Sequence, residues 1–398
     1  MAEQVEEYRS WLDPLIQKIS PKLGEDFTDV QYKISVPTDS HFLSRLILVE
    51  IIANNSKEEK KVNLVVKRPS LVEAVRKMLN SDQQFHNEIL FYKKYATDRT
   101  DFSRCIYADE KPPVDSVIVL ENVITRYGYH LQRVKQDIPM EYAIAACKEL
   151  ARFHANAYAM KEQRKEEFFD IINNIREDRF HEHGDVTIVI QGTAGRAVEY
   201  LRDQSYDQRF CDKMDVLFEN VYKTVIEEQL QPEEPLATLC HGDFTMNNMM
   251  FKRENGEIKT LLIDFATIRY SSPAIDISTL LCLHCAKDFD QAMLNNILKV
   301  YHDSLTQCLK EAGVDCEKYS YEAFYEDYKK KGLFGFFIAS FFLVVVMNKL
   351  LINPEDLLNI SVEDVVTMLC QAGGDEVSKI LANMLLTLKE FGCLDHLL

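Results

Sequence analysis

The sequence predicts an α+β protein of two lobes, a small strand-rich N-lobe followed by a mainly helical C-lobe. Three observations carry that expectation. Two strand-like runs, 43–52 and 61–67, lie close together in the first third; helical periodicity dominates from Pro139 onward; and one hairpin signal near 249–263 interrupts it. No repeat, low-complexity stretch or Pro/Gly-rich linker separates independent domains.

Read in order, residues 5–19 place Tyr8, Leu12, Leu15 and Ile19 on one helical face. Pro14 lies inside that stretch and is expected to kink or divide the helix. The polar segment 54–59 forms a turn between the two strand runs, a helix follows over 83–95, and the β-branched run 117–120 reads as a buried strand. Later helices are expected over 140–160, 212–229, 288–312, 321–351, 362–372 and 377–391. The lobes are expected to join near Glu121, giving an N-lobe of residues 1–121 and a C-lobe of residues 122–398.

Composition narrows the function classes. A formal charge of −17 argues against nucleic acid and anionic membrane surfaces, which need clustered Lys and Arg. The first residues lack a basic region followed by an apolar one, so no secretion signal is expected, and the ten cysteines are expected reduced in a cytoplasmic protein. Cys282 and Cys285 form a lone C-x-x-C without a second pair and read as core residues. The uncharged stretch 332–348 is 17 residues long, at the lower limit for a membrane span. Ser340 and two glycines weaken that reading, so a buried core helix is expected and no span. No protein partner is expected.

Chemistry concentrates in Cys240-His-Gly-Asp-Phe-Thr-Met-Asn-Asn-Met-Met-Phe251, followed by Leu-Leu-Ile-Asp-Phe at 261–265. Phosphoryl transfer needs a carboxylate near the acceptor hydroxyl and oxygen ligands that hold a metal against phosphates. Asp243, Asn248 five positions later and Asp264 after a hairpin supply that pattern, and Asn255-Gly256 is a strong hairpin turn. The hairpin returns the chain to its start, so Asn248 and Asp264 can face one Mg²⁺, which prefers oxygen ligands. A second His-Gly-Asp, His183-Gly184-Asp185, has Ile190 in place of the asparagine and no hairpin after it, so the tripeptide alone carries little.

The N-lobe supplies the remaining candidates. Lys67 ends an apolar strand run, where its ammonium can meet nucleotide phosphates, and Glu88 on the next helix can pair with it. Taken singly, both are ordinary surface residues; together with Asp243 and Asp264 they form a set. Glu121 and Asn122, after the strand 117–120, are the expected hinge whose backbone meets adenine.

Lys67, Glu88, Val-Leu-Glu-Asn-Val at 119–123, His-Gly-Asp-Phe-Thr-Met-Asn-Asn, Leu-Ile-Asp-Phe and the block 269–278 (RYSSPAIDIS) together resemble the insect ecdysteroid-kinase-like family, related to choline kinases and aminoglycoside phosphotransferases. The resemblance covers about residues 25 to 395. It implies a protein-kinase-like fold, ATP and Mg²⁺ as cofactors, Asp243 as the catalytic residue, Asn248 and Asp264 as metal ligands, and Lys67 as a phosphate ligand positioned by Glu88. It also implies a bracing role for Asp276 and a structural one for His154. The sequence departs from the family at 39–44, where a phosphate-covering glycine is missing, and at Ala266, where a glutamine is common. The expected activity is an ATP-dependent O-kinase acting on the hydroxyl of an apolar small molecule such as an ecdysteroid or xenobiotic. A choline- or ethanolamine-type kinase and a pseudokinase binding module remain alternatives.

Overall fold

The alternating runs of the first third form an antiparallel five-stranded sheet. In the computed structural model, which describes residues 2–23, 29–37, 44–54, 59–351 and 354–398, its strands are β1 (Asp29–Ser35), β2 (Ser44–Asn54), β3 (Glu59–Pro69), β4 (Cys105–Asp109) and β5 (Val117–Glu121), in the order β1-β2-β3-β5-β4. Residues 55–58 of the expected turn lie outside the described residues, but Asn54 pairs with Glu59, so β2 and β3 are direct neighbours. β1 and β4 extend the sheet beyond the two runs and the single strand expected.

Period-two alternation puts Ile47, Val49, Ile51 and Ala53 of β2 with Leu64 and Val66 of β3 on one face. That face is covered by α1 (Ala2–Ile19) through Tyr8, Leu12, Leu15, Ile16 and Ile19. α1 runs undivided through Pro14. Each buried apolar side chain contributes about 1.5–3 kcal/mol, and those on both sides of Pro14 outweigh the ~3 kcal/mol cost of an interior proline. The same alternation sends Lys67 to the opposite face. There the short α2 (Glu73–Met78) leads into α3 (Ser81–Leu90), which continues as a π-helical turn, Phe91–Tyr95. The helix expected over 83–95 is therefore two geometries in sequence.

α4 (Val123–Tyr127) closes this part of the chain. Asn122 caps it, accepting from the N–H groups of Ile124 and Thr125 at 3.0 and 3.3 Å. Its own N–H donates to Asn63 O at 2.9 Å, tying α4 to β3. The chain accordingly divides into two compact units, Met1–Tyr129 and His130–Leu398, a few residues beyond Glu121.

The second unit is mainly helical. β6 (His130–Leu131) precedes α5 (Met140–Gln163), α6 (Lys165–Ile172), α7 (Asp185–Asp203) and α8 (Gln208–Glu219). The helix expected over 212–229 breaks after α8, where a π-helical turn, Tyr222–Glu227, precedes the short α9 (Glu228–Leu230). β7 (Thr238–Cys240) pairs with β10 (Arg269–Ser271), and β8 (Met249–Glu254) with β9 (Glu257–Leu262) as the expected hairpin. Asn255 and Gly256 have φ of 52° and 83°, the two left-handed positions that the tightest hairpin turn requires.

The remaining helices are α10 (Ala274–His284), α11 (Gln291–Glu311), α12 (Tyr321–Lys331), α13 (Phe334–Val346), α14 (Pro354–Leu357), α15 (Val362–Gln371) and α16 (Gly374–Glu390). α5 packs along α11 and α10 along α13. The single helix expected over 321–351 is split into α12 and α13. Lys331 ends α12 buried, its ammonium donating to Glu228 O at 2.6 Å and pairing with Glu233 at 2.8 Å. α13 is the uncharged stretch, and it is core: Phe336, Phe337, Ala339 and Leu343 have no exposed surface. Gly335 permits the close approach of α10, since a Cβ there would stand 2.2 Å from Ser278 O. Among the described residues no helix is long and apolar enough to cross a membrane. Cys282 and Cys285 are buried thiols, and burial pushes Cys285 up to about 12.

Candidate functional site

In the first unit, β3 and α3 bring two charged side chains together out of water. Lys67 faces Ile118 of β5 across the ladder, on the side of the sheet away from α1. Its ammonium donates to Glu88 Oε2 at 2.5 Å, with both residues at most 6% exposed. Removing one partner of such a pair leaves a buried charge uncompensated, at a cost of about 3–5 kcal/mol. At the end of β5, the Glu121 carboxylate is held by Arg126 and Tyr127 of α4. The Glu121 N–H donates to Arg104 O at 2.9 Å, and the Asn122 N–H is taken by Asn63. Neither N–H of the expected hinge pair is therefore open to a ligand. Val123 N–H stands at the mouth of α4, ahead of the two that Asn122 caps.

In the second unit, the loop after β7 is built on Asp276, in the first turn of α10. Its carboxylate accepts His241 N–H at 2.7 Å and Gly242 N–H at 2.9 Å. From beneath, His154 of α5 lies 3.2 Å from the same carboxylate through Nε2 and 2.8 Å from Tyr301 OH through Nδ1. Burial holds His154 below its ordinary pKa against the opposing pull of Asp276, so the ring is a neutral donor to Asp276 and acceptor from Tyr301. Cys240 lies within reach of both. The two oxygens of Asp276 are already committed to backbone, and burial pushes the Cys240 thiol far up, so this cluster is a brace and not a metal site. Gly242 turns at φ 79°, and a Cβ there would stand 1.9 Å from Thr267 O.

One set of bonds ties the three motif residues together. His241 Nε2 donates to Ile263 O at 3.1 Å, and Ile263 N–H donates to Asn248 O at 3.0 Å. Asn248 in turn reaches back through Nδ2 to Asp243 O and Oδ2 at 3.0 and 2.8 Å. Asp264, next after Ile263, adopts φ 65°, a left-handed conformation costing an ordinary residue about 1–2 kcal/mol. It is held between the pinned Ile263 and Phe265, whose ring lies in the core 5.0 Å from His241. Strain overdetermined in this way gathers at functional positions.

The match to known proteins is decided over residues 39–314, which fit the family described as ecdysteroid kinase-like. The chain belongs to the ecdysteroid kinase-like family. It is thus a small-molecule kinase by family, a phosphotransferase with a hydroxyl acceptor. No curated protein matches it. Among solved structures it is similar to an ethanolamine kinase of Plasmodium vivax, at 11% identity over 85% of this chain and 81% of that one, with a TM-score of 0.42. It is also similar to a microcompartment-associated aminopropanol kinase, at 11% identity over 95% and 99% of the two chains, with a TM-score of 0.43.

Within this kinase-like chain, Lys67 with Glu88, and Asp243 with Asn248 and Asp264, are brought together as two groups, one in each unit. The glycine-less stretch 39–43 lies outside the described residues. Three neighbours of the loop escaped the sequence reading. Arg179, in the segment after α6, has its guanidinium 3.7 Å from Asp243 Oδ1. Glu177 accepts the N–H groups of Arg179 and Phe180 at 2.9 Å and pairs with Arg269 of β10 at 3.1 Å. His284 accepts the Met246 N–H through Nε2 at 3.1 Å, while Nδ1 bonds Lys135 O. Burial holds His284 down to about 4. Only the block containing Arg269 gave a sequence signal for any of these.

Proposed function

We propose that the protein is an ATP-dependent, Mg²⁺-requiring kinase that phosphorylates the hydroxyl of an uncharged, largely apolar acceptor, an ecdysteroid or a plant-derived xenobiotic. What supports the reading is the bonded frame His241–Ile263–Asn248–Asp243, which holds the Asn248 amide on the Asp243 carboxylate, with Asp264 next in sequence to Ile263 and Asp276 bracing the loop. Asp243 is the catalytic residue: it accepts the acceptor hydroxyl's proton as that oxygen bonds the γ-phosphorus. The bond from the phosphorus to the β,γ-bridging oxygen breaks, and its electron pair leaves on ADP. Lys67 binds phosphate oxygens and Glu88 holds it for that task. Adenine meets the backbone of the Glu121–Asn122 hinge at the N–H of Val123, since the Glu121 carbonyl accepts from Ser103 Oγ and the Asn122 carbonyl from Thr125 Oγ1 and Arg126 N–H.

The residues present fit the metal. Asn248 and Asp264 offer hard oxygen donors, and the two Nδ2 bonds of Asn248 to Asp243 turn its Oδ1 to the far side. Bound there, Mg²⁺ would neutralise charge on the phosphates. The test is a thermal-shift titration with MgATP on the wild type, Asp264→Ala and Lys67→Met. The wild type should be stabilised, Asp264→Ala should lose the metal-dependent part, and Lys67→Met should need higher ATP. A wild type that never responds to MgATP would favour a pseudokinase binding module instead.

A further inference from the structure

We infer that Arg179 is a second catalytic residue, whose guanidinium meets the oxygens of the phosphoryl group as that group passes to the hydroxyl held at Asp243. This deepens the proposed function and rests on it.

Unspent donors beside the reacting atoms are the first support. The Arg179 guanidinium stands 3.7 Å from Asp243 Oδ1, outside hydrogen-bond range, and its side chain makes no hydrogen bond among the described residues. Asn248 takes the other oxygen of Asp243, Oδ2, at 2.8 Å, so Oδ1 is the one that meets the acceptor hydroxyl. The two side chains are 18% and 31% exposed, enough for a ligand to reach both. An arginine serving only to anchor the loop would close on the carboxylate as a two-bond fork. This one stops short of it, with its N–H groups left for an anion.

Preorganisation is the second. Glu177 accepts the backbone N–H groups of Arg179 and Phe180, each at 2.9 Å, and takes both terminal nitrogens of Arg269 at 3.1 and 3.3 Å. Arg269 lies opposite Cys240 in the β7–β10 ladder, one residue before His241. The Phe180 ring is buried and lies 5.0 Å from the Arg269 guanidinium. The backbone that carries Arg179 is thus strapped to the strand that carries Asp243. Charges fixed in place before the reaction stabilise a transition state without reorganisation when it forms.

Chemistry is the third. A cation beside a base weakens that base, so this pairing suits a reaction that asks little base strength. Phosphoryl transfer is such a reaction: its transition state is loose, and negative charge spreads over the three outer oxygens of the moving group. The planar guanidinium fork matches such oxygens two at a time. The hydroxyl proton goes to Asp243, the bond to the β,γ-bridging oxygen breaks, and its electron pair leaves on ADP. Arg179 exchanges no atom or electron and contributes charge alone.

The test removes that charge and then returns it. Arg179→Ala, Arg179→Met and Arg179→Lys are compared with Arg176→Ala, an exposed arginine three residues earlier. ADP release from MgATP is followed with water as the acceptor and again with ecdysone, and the MgATP thermal shift checks folding and nucleotide binding. Both neutral variants should lower kcat at least about 10²-fold with the thermal shift kept. Their KM for ATP should stay within about threefold, since the lost interaction belongs to the transition state. Lysine keeps the charge without the fork and should fall only about tenfold. Added guanidinium chloride should raise the kcat of Arg179→Ala and leave Arg179→Met, whose side chain fills the vacated space, unchanged. Arg176→Ala should match the wild type. Folded neutral variants with wild-type kcat overturn the role of Arg179 and leave the kinase reading standing. A loss that neither lysine nor guanidinium recovers makes Arg179 a structural strut and overturns the role as well. If both neutral variants lose the thermal shift, Arg179→Lys decides, and a wild-type kcat there overturns the role. A wild type that is blind to MgATP, or binds it and releases no ADP, overturns the proposed function and this inference with it.

Discussion

At the start of α7, His183-Gly184-Asp185 runs into a helix at the surface, with Gly184 as N-cap at φ −79° and His183 and Asp185 exposed. After β7, the same tripeptide, His241-Gly242-Asp243, has its histidine fully buried and its glycine turned to φ 79°. The difference comes from outside the tripeptide. Asp276 takes two N–H groups of the second copy, Ile263 takes the imidazole, and Thr267 O occupies the space above Gly242. Three residues therefore hold no geometry of their own, and the surrounding carboxylate, strand and hairpin impose one.

The comparison is broken most sharply at the glycines. Gly242→Ala combines an overlap with Thr267 O and a left-handed φ, and should cost about 2–4 kcal/mol and abolish turnover. Gly184→Ala, whose Cβ would meet His181 Cβ at 3.3 Å, should stay within about 0.5 kcal/mol in urea unfolding. Equal costs would mean that the two loops are not differently constrained. At the next position, Asp243→Asn should lower turnover roughly 10²-fold while MgATP still stabilises the protein, whereas Asp185→Asn should leave both unchanged. Near-normal turnover in Asp243→Asn would remove that residue from catalysis.

Acid should loosen the second copy and spare the first. His284 is neutral when folded, its value held down to about 4 by burial against an ordinary 6.5. Its contribution is therefore whole above pH 6.5 and lost as pH falls through about 4, up to about 3 kcal/mol, as protonation removes the acceptor for Met246 N–H. Asp327, which receives the Ser272 hydroxyl just before α10, acts in the opposite sense. Burial raises it to about 6, so its contribution is whole below pH 3.8 and lost as pH rises through 6. Asp327→Asn should thus steepen the loss of stability between pH 6.5 and 4. An unchanged slope would sink the assignment of that opposition to Asp327. The smallest effect is expected at the brace itself. In Asp276→Asn the amide can accept only one of the two loop N–H groups with the same oxygen geometry, leaving the other orphaned at about 1–3 kcal/mol. Hydrogen exchange at His241 and Gly242 should rise while that at Gly184 stays as it was.

Asp243, Asn248 and Asp264 were legible because phosphoryl-transfer chemistry restricts residue types at short spacings, and because Asn255-Gly256 announces the hairpin that folds them together. Lys67 and Glu88 were legible as a strand end and a helix face. Arg179 and Glu177 were not. They sit in a segment without periodicity and reach the loop across long separations in sequence, Arg179 directly at Asp243 and Glu177 through Arg269, 92 residues away. The undivided α1, the break after α8 and the split between α12 and α13 were missed for the same reason.

The sequence by itself determined what travels along the backbone over a few residues: strand alternation, hairpin turn chemistry, the uncharged core helix and the spacing of Asp243, Asn248 and Asp264. Tertiary structure alone decided which helices continued through a proline or broke at a buried lysine, and which distant side chains, Arg179 and Glu177, came to lie beside the loop of Asp243. Those outcomes depend on packing between distant segments, where the energy of a contact is set by a partner that no local pattern names.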